Sequence, residues 1–380
     1  MSEEYRKEYL ERYKDSAFVP FDTLERFMKE TLVKSGVPAH DAEIVSDVLI
    51  ESDKRGIDSH GIGRLKPIYL DRIEKGILNP VTKIDTVKDE MATALFDAND
   101  GMGHVAGKVA MDVAIRKAKK YGIGMTAVRN SSHYGIAGYY VTMATKCDLI
   151  GITGTNARPS IAPTFGVENM LGTNPLTFGF PTDEEFPFVL DAATSVSQRG
   201  KIEVYARLGK DAPPGWVVNE EGRSETDSKK ILSDLTSGKA ALAPLGGIGA
   251  ENAGYKGYGL ATVVEILSAA LEGGPFLKAL VGKDESGKPS PYHLGHFFIA
   301  VDPEFFIGKE TFKRITTSIL EELRKSRKAP GENRIWTAGE MEAEAWNIRK
   351  ETGCPIPPAL QKEISELTKK FSLSFSWPWE

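Results

Sequence analysis

Between residues 94 and 153 short apolar runs alternate with helical patterns, and this alternation most constrains what the chain can fold into. Ala94, Phe96 and Ala98 read as a strand, and GMGH at 101–104 leads into a long helix with Val105, Val109, Val113 and Ala114 inward. Lys119 and Lys120 sit in its last turn and Gly122 at its stop. Residues 123–128 form a second strand, followed by the loop NSSHYG, a helix over 136–147 and a strand over 149–153. The order is that of a sheet with helices packed on it. It puts His133 at the mouth of a strand, where α/β proteins carry their chemistry, although a loop histidine satisfied by local hydrogen bonds would look the same.

The 380 residues suffice for two domains, or one large domain and a smaller one. A formal net charge of -5 argues against nucleic acid or an anionic membrane as the main partner. The two cysteines, Cys147 and Cys354, form neither a disulfide framework nor a metal cluster, and they suit a reducing compartment. The charged opening MSEEYRKEYLERYKD is no signal segment and no run approaches membrane-spanning length, so a cytoplasmic location is expected.

Residues 4–16 read as a solvated or partner-facing helix with Tyr5, Leu10 and Tyr13 as a weak stripe. Asp22 and Glu25 look like a capping box ahead of the next helix, and Pro38 opens a third. Then comes KRGIDSHGIGR at 54–64. If a helix restarts near Gly61, His60 and Arg64 share one side of a turn. That pairing suits an anionic substrate, with the guanidinium on a carboxylate and the imidazole exchanging a proton. A helix end packed by its charged residues is the plainer alternative.

Further on, GTNARPS at 154–160 and GTNP at 172–175 offer backbone donors and sharp turns. The strand 186–190 delivers Asp191, with Ala192, Ala193, Thr194 and Ser195 small enough for a flat ligand to approach the backbone; a helix-capping Asp191 would look similar. Residues 200–243 read as a surface excursion that brings Trp216 towards the site. The glycine-rich stretch 245–258 carries Lys256 just before an apolar helix. A strand over 296–301, a helix over 309–326, the loop APGEN and helices near 338–351 and 357–370 follow. The closing FSLSFSWPWE holds aromatic area that should dock on the body or on another subunit.

No strict GxGxxG follows a strand, because Asn252 stands where the third glycine belongs, and there is no phosphate-loop lysine motif or HExxH. The six histidines His40, His60, His104, His133, His293 and His296 show no metal-ligand spacing. Yet DSHGIGR, NSSHYGIAGYY, GTNP, LDAATS, GWVVNEEGRSETD, KGYGLA and APGE, in this order, resemble the malate/L-lactate dehydrogenase family of non-Rossmann type. Its relatives include sulfolactate, ureidoglycolate and diketogulonate dehydrogenases.

The resemblance implies an α/β fold with a mixed-sheet cofactor domain at 86–279. A mainly helical domain would be built from residues 1–85 and 280–380 and would carry substrate binding and dimerisation. It implies a nicotinamide cofactor, for which NAD is expected over NADP, a homodimer, and a small 2-hydroxy or 2-oxo acid as the partner molecule; charge and motifs add no nucleic acid, no membrane and no metal. The activity implied is oxidation of (S)-malate or a close L-2-hydroxy acid. Alternatives are a ureido, sulfo or cyclic imino acid substrate on the same fold, and a non-catalytic binding protein.

By the same resemblance Ser59, His60 and Asp191 form a proton-relay set and Arg64 a carboxylate clamp, with His133 as the other histidine near the reaction. The cofactor would meet His133, Tyr134, Gly135, Thr155, Asn156, Leu190, Asp191, Ala192, Ala193, Thr194, Ser195, Gly246, Lys256, Gly331 and Glu332. Chemically, His60 serves as acid/base, His133 orients the carbonyl or the nicotinamide, and a nearby carboxylate would raise the histidine pKa.

Overall fold

A computed structural model describes residues 3–380. The chain opens with α1 (Glu3–Glu11), β1 (Ala17–Val19), α2 (Phe21–Lys34), α3 (Ala39–Lys54) and the short α4 (Asp71–Glu74). A middle section follows with β2 (Asp85–Asp89), β3 (Thr93–Asp97), α5 (Gly103–Tyr121), β4 (Ile123–Ser131), α6 (Ala137–Thr145), β5 (Ile150–Thr155), β6 (Leu176–Phe180) and β7 (Phe188–Ala192). Then come α7 (Arg199–Arg207), β8 (Val217–Asn219), α8 (Ser228–Ser237), β9 (Ala240–Leu242) and α9 (Gly254–Leu267). The chain closes with β10 (Leu294–Val301), α10 (Lys309–Lys325), α11 (Glu340–Thr352), β11 (Cys354–Ile356) and α12 (Pro358–Lys370).

The main sheet has the order β2-β3-β4-β10-β5-β6-β7. Only β3 and β4 run parallel, joined through α5; every other neighbouring pair is antiparallel. This is the mixed sheet expected, and it is not a doubly wound parallel one. The strand β10 falls in the 280–380 span assigned to the helical part, yet it occupies the middle of the sheet, between β4 and β5. Its LGHFFIAV is buried at six of eight positions, as a strand covered on both faces requires.

Both ends of the chain build one helical core. Leu24, Phe27 and Met28 of α2 and Val45 and Leu49 of α3 pack with Ile364, Leu367 and Trp377. Antiparallel pairing of Ala17 with Ile356 clips the two ends together. The aromatic tail docks on this body: Phe375, Trp377 and Trp379 stack with centroids 5.4 and 5.3 Å apart, and Trp377 meets the edge of Phe27 at 5.2 Å. The Trp377 indole N–H donates to Thr368 Oγ1 at 3.0 Å inside the core. Thr368→Val should therefore leave that donor unpaired and cost about 1–2 kcal/mol in urea unfolding, and an unchanged midpoint would contradict it.

Several local expectations shift. Helix α2 starts after Pro20 with no side-chain cap, so Asp22 sits inside the first turn, where its charge meets the helix dipole, and no capping box forms. Helix α1 ends at Glu11, and its Tyr9 is buried against Ala345 and Ile348. Helix α5 turns Ala106, Ala110, Met111 and Ala114 to the sheet, while Val109 and Val113 are only partly covered, because small side chains let the helix lie close. Trp216 packs against Tyr205 at 5.5 Å in a satellite core around Ile202, away from the cleft described below. Lys256 belongs to the first turn of α9.

Candidate active site

The loop after α3 turns sharply at Gly61, where a side chain would collide with the Asp53 carboxyl group. That carboxyl accepts the Ile62 N–H at 2.8 Å, and burial pushes it up to about 8, so it is a neutral acid at lower pH. Residues 62–64 form one tight turn and Leu65–Leu70 a π-helical one, a distortion common where side chains must be re-aimed. His60 Nδ1 pairs with Ser59 Oγ at 2.8 Å. Arg64 Nε donates to the Ser59 carbonyl, and its terminal nitrogens have no partner among the described residues. The short turn folds Arg64 back onto the Ser59 carbonyl, next to His60.

The second loop, after β4, brings His133 face to face with His60, ring centroids 5.8 Å apart and planes 21° from parallel. Gly135 adopts φ +80, and a Cβ there would sit 2.6 Å from Val48, so only glycine lets the loop press on α3. The Gly135 N–H donates to His133 Nδ1 at 3.2 Å, which makes that nitrogen an acceptor. Tyr69 Oη, 2.7 Å from the same nitrogen, must then donate as well. These two bonds leave the proton on Nε2, so neutral His133 is a built-in donor.

The electrostatics correct one expectation. No carboxylate raises the pKa of His60 or His133: burial, then the Arg64 charge, pushes His60 down to about 4. Burial, then His60, His104, Arg72 and Arg64, holds His133 well below the usual histidine range. Both rings are neutral near pH 7 in the free enzyme.

Among the described residues no hydrogen bond joins Asp191 to His60 or His133. Its carboxylate accepts the Gly138 N–H at 2.7 Å and the Thr177 hydroxyl at 3.0 Å, tying β7 to the first turn of α6. Beside it opens a cleft of about 710 Å³, lined by Ser59, His60, Gly135, Gly138, Asp191 and Ala193 among others. The cations Lys54, Arg55 and Lys146 line it, and Glu51 and Glu342 offer acceptors for hydroxyl groups. That donor set and size fit a dinucleotide.

The remaining expected contacts divide. Leu190 is exposed and Ala192 half-exposed on the edge strand β7. Tyr134 is instead sandwiched in the core between His296, 4.6 Å away, and Tyr140, 4.8 Å away. Thr155 bonds His296 at 2.7 Å and Asn156 bonds Ser268 and Gly295 under the sheet, while Thr194 bonds Thr173 and Asn174 carbonyls. Ser195 is buried with an unpartnered hydroxyl. Gly246, Lys256, Gly331 and Glu332 lie outside the cleft lining, where α11 contributes Glu342, Ala343 and Trp346 instead.

Sequence reading missed a latch behind the reactive loop. Arg349 of α11, fully buried, grips Asp58 through two bonds of 2.6 and 3.0 Å, and also bonds Tyr9, Tyr13 and the Asp53 carbonyl. Tyr13 Oη adds a bond of 2.7 Å to Asp58. Asp58 directly precedes Ser59 and His60, so α1 and α11 hold the loop from behind. Its sequence signal was Tyr13 in the weak stripe read over residues 4–16.

Comparison with known proteins agrees with this architecture. Residues 19–365 match the malate/L-lactate dehydrogenase family. The chain is similar to the malate dehydrogenase of Pyrococcus horikoshii, 44% identical over 93% of this chain and 95% of that one. It is 40% identical to the L-sulfolactate dehydrogenase of Methanocaldococcus jannaschii, over 92% of this chain and 96% of that one. The crystal structure of malate dehydrogenase from Entamoeba histolytica superposes with a TM-score of 0.91 at 43% identity, covering 95% of this chain and all (100%) of the other. The chain belongs to the malate/L-lactate dehydrogenase family, whose members are NAD(P)-dependent 2-hydroxy acid dehydrogenases.

Proposed function

We propose that the protein interconverts (S)-malate and oxaloacetate with NAD as its preferred cofactor. The stacked pair His60–His133 beside the open guanidinium of Arg64 carries this reading. A bound nicotinamide supplies or accepts the hydride. In the oxidation direction neutral His60 takes the hydroxyl proton at Nε2, while its Nδ1 is held by Ser59. His133 donates from Nε2 to the same oxygen and aligns it, and Arg64 clamps the C1 carboxylate. Asp191 acts at one remove, by fixing the first turn of α6 against the cofactor cleft.

The preference for NAD rests on Glu51, which holds Lys54 at 3.0 Å and Arg55 at 3.3 Å, so these cations are not free for an extra phosphate. We also propose a homodimer, since α9 leaves Leu260, Val263 and Ile266 exposed and α10 leaves Ile315, Ile319 and Leu323 exposed. A cytoplasmic location fits the free thiols of Cys147 and Cys354. Among the described residues no helix is long and apolar enough to cross a membrane.

Initial rates with oxaloacetate, pyruvate, sulfopyruvate and a cyclic imino acid, each with NADH and NADPH, test the assignment. A preference for oxaloacetate with NADH is expected, and silence with oxaloacetate while another acid reacts would remove malate. The pH profile is a second test. His60 must be neutral to accept a proton, so kcat/KM for malate oxidation should be flat at neutral pH and fall only on acidification through about 4. Substrate carboxylate beside Arg64 offsets the positive charge that depresses His60, so the acid limb of kcat should lie higher. An acid limb of kcat/KM at an ordinary histidine pKa would contradict the assignment.

A further inference from the structure

One cation near the histidines has no work in the reaction just described. Arg72 of α4 lies with its guanidinium 4.3 Å from the centroid of the Tyr292 ring. It is half-buried, and no carboxylate pairs with it among the described residues. Burial lowers its pKa, Tyr292 and Tyr69 oppose that, and the charges of Arg158 and Arg64 add to it. The field of Arg72 also reaches His133. A half-buried charge among like charges is costly, and contact with an aromatic face offsets little of it.

The platform is built in advance. Gly282 has φ +70, and a Cβ there would stand 2.6 Å from the Tyr292 ring. The next residue, His293, is anchored by Asp100 at 2.7 Å. On the other side Tyr69, three residues before Arg72, is fixed on His133 at 2.7 Å. Arg72 thus rests on a fixed aromatic face, three residues along from the Tyr69 that holds His133, the residue that orients the substrate carbonyl.

We propose that Arg72 is the specificity-determining residue that receives the second acidic group of the substrate, a carboxylate or sulfonate on the carbon beyond the carbonyl, while Arg64 holds the first. The inference rests on the dehydrogenase reading above and deepens it: the enzyme selects dianionic 2-oxo acids over pyruvate. Arg158, exposed on the loop after β5, adds to the positive charge felt by Arg72.

The test compares kcat/KM for oxaloacetate, sulfopyruvate and pyruvate in wild type and Arg72→Gln. Loss of a charge-assisted, forked contact should lower the oxaloacetate-to-pyruvate ratio about 30-fold or more, with sulfopyruvate following oxaloacetate. A ratio that stays the same, whether both rates hold or both fall, overturns the inference. Calorimetric binding of succinate and propionate to the NADH-loaded proteins gives the same comparison without turnover. If wild type reduces no oxaloacetate, the malate assignment fails by itself, and a succinate affinity lost only in R72Q still supports Arg72, while equal loss of both ligands or of neither overturns it. Should R72Q not fold, Tyr292→Leu keeps the charge and removes its support, and the ratio should drop about five-fold; no drop counts against the proposal.

Discussion

Replacing His60 by alanine is expected to lower kcat for oxaloacetate reduction about 10³-fold at saturating substrate, the usual worth of a positioned acid/base group. NADH binding, read from its fluorescence, should survive, because the cleft also meets Gly135, Gly138 and Asp191. The loss should be sensitive to pH in a specific way. Wild-type reduction needs His60 protonated, so its kcat/KM declines as pH rises above about 4, and the variant should lose that slope. His133→Gln keeps a donor in the ring's place and should cost less, with its effect mainly on carbonyl alignment. If H133Q abolished hydride transfer while H60A left it near normal, the two roles would have to be exchanged. The geometry argues for the assignment as given: protonating His133 at Nδ1 would set a second hydrogen against the Gly135 N–H, whereas His60 Nδ1 pairs with the Ser59 hydroxyl, which reverses its role by rotation.

The latch behind the loop gives the second large effect. Asp58→Ala is expected to cost about 3 kcal/mol in urea unfolding, the lower end for breaking a buried pair, because Asp58 itself is 40% exposed. It strands the fully buried guanidinium of Arg349. Arg349→Met should cost less, since the carboxylate left behind can hydrate. The double variant should then be more stable than D58A alone, because the stranded charge is gone. D58A should also reduce kcat/KM about ten-fold by loosening Ser59 and His60 relative to His133. Equal costs for the two single variants, or a double variant weaker than either, would mean that burial of the charge is not what matters there.

Acid should weaken the protein through its histidines. The pKa of His104 and of His296 is pushed down to about 3 by burial, and His60 and His133 are lowered too. A base with a depressed folded pKa stabilises the fold above its unfolded value near 6.5, and that contribution is lost as pH falls from there towards the folded value. Asp53 works in the opposite sense: its raised pKa, about 8, makes folding more favourable as pH falls from about 8 towards its unfolded value near 4.

What the sequence determined by itself was whatever has a short period or a contiguous motif. The alternation at 94–153 specified strands β3, β4 and β5 and helices α5 and α6 to within a few residues, because each pattern is decided by neighbours along the chain. DSHGIGR placed Ser59, His60 and Arg64 together for the same reason, and the ordered motifs specified the family. The tertiary structure alone decided which distant pieces meet. The seat of β10 at the centre of the sheet depends on pairing with β4 and β5, both far away in the chain. The grip of Arg349 on Asp58 spans 291 positions, and a lone arginine on an amphipathic helix reads as a solvated charge until its burial is known. Asp191 looked like a relay carboxylate, but whether a carboxylate serves a histidine or a helix end depends on the nearest donor, and Gly138 is that donor. Arg72 carried no sequence signal at all, since an unpaired guanidinium acquires meaning only from the charges around it.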